Sequence, residues 1–74
     1  QEHEMALEWI DIAIEKKPEA FWMMYHKARI LSNLGNNKEA VIIAEETISM
    51  ASEAKDDYGY ILRCKNLIND IKSK

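Results

Sequence analysis

Apolar residues return at spacings of three and four from one end of this chain to the other, and four such runs account for nearly all of it. The first, about Glu2 to Lys17, places Ala6, Ile10, Ala13 and Ile14 on one stripe, with Met5, Trp9 and Ile12 widening it. Glu2 and Glu4 at its start and Lys16-Lys17 at its end suit a helix dipole. Pro18 stops this helix and can serve as the first residue of the next. The second helix, about Glu19 to Leu34, turns Met24, Ala28, Leu31 and Leu34 inward, and Gly35 ends it as a left-handed cap requires. Asn36-Asn37 supply a turn and a cap for the third, with Glu39 in its first turn. That helix carries Ala40, Val41, Ala44, Ile48 and Ala51 and runs to about Lys55, since no Pro stops it. Asp56-Asp57 form the next turn and cap. The fourth helix, about Tyr58 to Lys72, sets Tyr60, Ile61, Cys64, Leu67, Ile68 and Ile71 at three-and-four spacing. Val41-Ile42-Ile43 is the sole β-branched run, and it lies inside a helical pattern, so no strand is expected. Short connections predict antiparallel neighbours.

The runs also resemble one another. Ala6-Leu7, Ile10, Ala13-Ile14 and Pro18 recur as Ala40-Val41, Ala44, Thr47-Ile48 and Ser52, at the period of about 34 residues of helix-turn-helix repeats. An apolar face repeating at fixed spacing implies stacked helices, each burying a side it could not bury alone. Phe21-Trp22-Met23-Met24-Tyr25 is too apolar all round for a helix exposed on one side, which predicts that the second helix is central and covered by its neighbours. The other reading is that part of this run meets the remainder of a larger protein. Trp9, Trp22 and Tyr25 are where unexpected exposure would mark an interface.

On these residues, Pro18 to Ser52 resembles a tetratricopeptide repeat. In that family the first helix has a large residue, a small one four later and a large one three after that, as Met24, Ala28 and Leu31 do here. Gly35 follows, then the small residue of the second helix, Ala40, and its aliphatic neighbour, Val41. Ala6, Leu7, Ala13, Ile14 and Pro18 fit as the preceding half-repeat. After a two-residue insertion, Tyr60, Cys64 and Leu67 stand where Met24, Ala28 and Leu31 stand. The resemblance implies an all-α single domain over residues 1–74, stacked as half a repeat, a whole repeat and a further half. Met24 at the signature Trp position, Ala44 in place of an aromatic, Thr47 in place of a small residue and Ser52 in place of Pro depart from the family and permit a more compact arrangement. Phe21-Trp22, Lys27-Ala28, Gly35, Glu39-Ala40 and Asp57-Tyr58 also resemble the C-terminal helical tail of a family of uncharacterised, exported bacterial proteins, which brings no activity with it.

Composition narrows the chemistry. Seventy-four residues with 47% hydrophobic and 31% charged content make one small domain, which buries only roughly 60% of its unfolded surface. A net charge of −3 argues against nucleic acid as the partner. One cysteine allows no internal disulfide, and no apolar run reaches the ~20 residues a membrane span needs. No signal peptide is visible, and the chain opens on Gln1 already in helical pattern, which reads as a piece of a longer protein. The second likeness would make that parent exported or periplasmic. His3 and His26 lie in different helices, and no His, Cys and carboxylate set has metal spacing. Cys64, in a small-residue position, is expected as a buried packing thiol. Helix caps and a solvated face explain Asp56-Asp57 and Glu45-Glu46. Gly35 terminates a helix and Gly59 lies in the first turn of one, so neither makes a phosphate loop. No cofactor is expected.

The tetratricopeptide resemblance implies a concave face lined by the second and fourth helices. Its groove positions fall on Trp22, Tyr25, Arg29 and Asn33, then on Tyr58, Lys65 and Asn69. Arg29 and Lys65 are equivalent in the shifted register, and two cations beside aromatics could hold a carboxylate or an acidic peptide. The plainer reading packs Trp22 and Tyr25 on a neighbouring helix and leaves Arg29 and Lys65 solvated. The basic set with which chaperone-tail binders of the family grip a carboxylate is not reproduced. The chain therefore reads as a non-catalytic module or scaffold that binds a protein or peptide on this face. The alternative is a structural C-terminal appendage that docks on its parent or dimerises.

Overall fold

The computed structural model describes residues 2–55 and 59–73. It holds helices α1 (Glu2–Lys16), α2 (Phe21–Asn33), α3 (Asn37–Glu53) and α4 (Tyr60–Lys72), and no strand among the described residues. The fold is all-α, as the periodicity predicts. Each helix packs on its neighbour in the chain, α1 on α2, α2 on α3 and α3 on α4. α2 also reaches α4 directly, whereas α1 makes no close approach to α3 or α4. The Cα envelope measures 35 × 33 × 16 Å, and its thin dimension matches two layers of helices at the usual spacing of about 10 Å. α2 and α4 share one layer and converge. The stack therefore bends toward their side.

Small residues set this spacing. Ala28, Ala44 and Cys64, one from each of α2, α3 and α4, form a fully buried cluster with Tyr25, Ile43, Ile48, Leu67 and Ile68 packed around it. A second cluster joins Leu31, Ala40 and Ile71, flanked by Leu7, Val41 and Leu67. Side chains this small let helix backbones approach closely. The small side chain of Ala44 leaves room for Cys64 in the same contact. Thr47 is the one polar residue buried among them, and its hydroxyl donates to the Ile43 carbonyl at 2.7 Å. That bond satisfies a group whose burial would otherwise be costly. α2 is the central helix: Phe21, Met24, Ala28 and Leu31 are buried, and it alone touches all three others.

The helix ends correct several expectations. Pro18 does not open α2. It sits with Glu19 in a β-turn closed by the Ala20 N–H donating to the Lys17 carbonyl at 3.1 Å, the position where its fixed φ is at home. α2 begins only at Phe21, and it ends at Asn33 rather than Leu34. Gly35, at φ 87°, completes a Schellman cap: the Asn36 N–H donates to Leu31 and the Gly35 N–H to Ser32, at 2.9 and 3.0 Å. Asn36 occupies the N-cap of α3 but makes no side-chain capping bond, and the buried Oδ1 of Asn37 has no hydrogen-bond partner. α3 stops at Glu53 because Lys55 turns left-handed, at φ 56°. Gly59, left-handed at φ 81°, precedes α4 instead of lying within it. Asp56, Asp57 and Tyr58 lie outside the described residues.

One further correction concerns α1. Ala6, Leu7, Ile10, Ala13 and Ile14 are half-buried against the body, but Met5, Trp9 and Ile12 do not widen that stripe. They stand 58%, 72% and 53% exposed. A helix with a single neighbour can cover one arc only, and the apolar arc of α1 is wider than α2 can hide.

Candidate interaction face

The layer formed by α2 and α4 brings four aromatic rings together. Phe21 meets Trp22 and Tyr60 edge to face, with centroids 5.1 and 5.8 Å apart, and Tyr25 meets Tyr60 likewise at 5.7 Å. The arrangement follows from the sequence: Phe21 and Tyr25 are one turn apart on α2, so a single ring on α4 can touch both. Edge-to-face geometry sets positive ring edges against negative faces. Two guanidiniums lie against the same rings, Arg29 at 5.8 Å from Tyr25 and Arg63 at 4.9 Å from Tyr60. Lys17 approaches Trp22 at 6.0 Å. Cations over ring faces are held by the quadrupole while their N–H groups stay available.

Of the residues expected to line this face, Trp22, Arg29, Asn33, Lys65 and Asn69 are exposed and Tyr25 is half-buried. Tyr58 lies outside the described residues. Tyr25 does pack on a neighbouring helix, as the plainer reading has it. Arg29, however, is placed by Tyr25 as well as solvated. Lys65 holds no such place: the cation beside the α4 ring is Arg63, two residues earlier and so roughly 200° around the helix. The groove positions that the tetratricopeptide resemblance implies include neither Tyr60 nor Arg63. The signal was present as two aromatic–cation pairs one turn apart, Tyr25 to Arg29 and Tyr60 to Arg63.

Charge divides by layer. α2 carries Lys27 and Arg29 and no carboxylate, and α4 carries Arg63, Lys65 and Lys72 against Asp70. In the other layer, α1 carries Glu2, Glu4, Glu8, Asp11 and Glu15 against Lys16, and α3 carries Glu39, Glu45, Glu46 and Glu53 against Lys38. A salt bridge of 2.6 Å between Lys27 Nζ and Asp11 Oδ1 joins the layers. A mildly acidic protein thus carries a net positive charge on α2 and α4, a feature that total charge conceals.

Among the described residues no group of three His, Cys, Asp or Glu is placed to hold a metal ion, and the Cys64 side chain is buried. Shallow hollows lie along α3, one lined by Gly35, Asn36, Asn37, Lys38, Glu39 and Ile42 and another by Ile42, Glu45, Glu46, Ser49 and Met50. No described helix is long and apolar enough to cross a membrane. No protein-family model matches this chain, and neither do any of the curated proteins or solved structures compared with it.

Proposed function

We propose that the chain is a non-catalytic helical module of tetratricopeptide-like type that binds an acidic segment of a protein or peptide across α2 and α4. One observation carries the reading: Arg29 and Arg63 are set against the touching rings of Tyr25 and Tyr60, on the cationic layer of an otherwise acidic molecule. Guanidiniums recognise carboxylates by charge-assisted, often paired hydrogen bonds. Rings that fix their position lower the entropy lost on binding. Arginine and aromatic residues together are what binding hot spots use. Trp22 and Asn33, on the same side of α2 as Arg29, would extend the face as its rim.

The test is a fluorescence titration with a synthetic Glu-rich peptide. Wild type is expected to bind it with an affinity that falls as salt rises. Arg29→Glu with Arg63→Glu should abolish binding while circular dichroism stays unchanged, and Lys65→Glu alone should weaken it less. Equal binding by the double variant would reject the face. A structural role, in which the helices dock on another body, is favoured by a different observation, the bare flank of α1.

A further inference from the structure

The two ends of the stack are not alike. The free side of α4 is mainly polar, with Lys65, Asn66, Asn69 and Asp70 around the exposed Leu62. α1 does the opposite. Met5, Trp9 and Ile12 recur at i, i+4 and i+7, forming one exposed apolar row of large side chains. Along one edge of that row run Glu4, Glu8 and Glu15, all exposed, at i, i+4 and i+11. None of the three makes an ion pair with a described residue. Asp11 lies beyond them and is already engaged by Lys27. The far edge is formed by Ala6 and Ala13, which slope down to α2 and leave room for close approach. Lys16 closes the row, its aliphatic stem in line with the apolar side chains.

We infer that this face of α1 docks an amphipathic helix of a partner protein, one whose own apolar stripe is bordered by a row of Lys or Arg. The apolar row supplies i, i+4, i+7 anchors of the kind helix-in-groove recognition reads. The acidic edge sets the sign of the partner, because opposite charges on facing helix flanks choose partner and register. A second copy of this chain fits worse. Two α1 helices packed antiparallel about a two-fold axis bring acidic edge onto acidic edge. Packed parallel, they oppose each acidic edge with the partner's Ala6 and Ala13 and no cation. Among the described residues, the α4 end of a second copy offers Leu62 as its sole large exposed apolar side chain. An anionic lipid surface is disfavoured by the same carboxylates. This inference is independent of the α2–α4 face.

The test uses the full chain with Trp22→Phe, so that Trp9 is the only tryptophan reporting. Two synthetic helical peptides share a Leu stripe at i, i+3, i+4 and i+7, one with a Lys row on its flank and one with a Glu row. The Lys peptide is expected to shift Trp9 emission to the blue and to bind at least about tenfold more tightly than the Glu peptide, with the difference shrinking as salt rises. Glu8→Lys with Glu15→Lys should reverse that preference, and Met5→Glu with Ile12→Glu, which keeps the Trp9 reporter, should remove binding of both. Arg29→Glu with Arg63→Glu should leave it intact, which separates failure here from failure of the other face. Equal binding of the two peptides, or of neither, overturns the inference. So does a Trp9 blue shift without peptide that accompanies a dimer in sedimentation, or one produced by lipid vesicles instead.

Discussion

Tyr25 on α2 and Tyr60 on α4 meet edge to face at 71°, ring centroids 5.7 Å apart, without α3 intervening. This contact links alternate helices of the stack and is one of the places where the bend of the molecule is held. Such pairs contribute about 0.5–1.5 kcal/mol beyond the area they bury. A double-mutant cycle of Tyr25→Ala and Tyr60→Ala, read by urea denaturation, is expected to give a coupling energy within that range. Strict additivity would mean that the rings touch without stabilising the bend.

Thr47 is completely buried and spends its hydroxyl on the Ile43 carbonyl, one turn back in its own helix. That carbonyl also accepts the helical N–H, so removing the hydroxyl leaves no orphan. Thr47→Val should therefore be neutral, or stabilising by up to about 1 kcal/mol, since a methyl replaces a polar group among alanines. Thr47→Ala should cost about 1 kcal/mol through lost packing. A large loss for the Val variant in thermal melts would show that the hydroxyl has a partner outside α3.

Lys55 adopts a left-handed conformation just past the end of α3. An L-residue with a Cβ pays about 1–2 kcal/mol there. Glycine avoids that cost and gives part of it back as unfolded-chain entropy. Lys55→Gly is thus expected to raise stability by about 0.5–1 kcal/mol, and Lys55→Val to lower it. Calorimetry showing the Gly variant less stable than wild type would refute the turn geometry.

The Asp11–Lys27 bridge is short, but its carboxylate side is half exposed. Solvent screening holds such pairs to about 0.2–1 kcal/mol. A cycle of Asp11→Asn and Lys27→Met should return a coupling in that range at low salt and almost none at high salt. A coupling that survives concentrated salt would mean the pair is more deeply desolvated than its surroundings imply.

How far the sequence carries this reading depends on the kind of residue. Helix number, order and core register were legible because burial follows a 3.6-residue period that Ala28, Leu31, Ala40, Ala44 and Cys64 obey. Gly35 was legible as a terminator because left-handed backbone leaves few alternatives. Lys55 was not, because nothing in a lysine announces a left-handed turn. Pro18 suited two neighbouring roles, and local hydrogen bonding of Lys17 and Ala20 decided between them. The exposure of Met5, Trp9 and Ile12 was illegible for another reason. An apolar wheel position says that a residue prefers burial, and only the packing shows whether any neighbour is there to bury it. The division of charge by layer needed the stacking order before its meaning could be seen.

Amide chemical-shift mapping of the labelled chain, titrated with the Glu-rich peptide, tests the central claim most directly. The account predicts saturable shifts concentrated on Trp22, Tyr25, Arg29, Tyr60 and Arg63, with the α1 and α3 surfaces left unchanged. Shifts confined to other helices, or none at concentrations where Arg-carboxylate recognition would saturate, would contradict it.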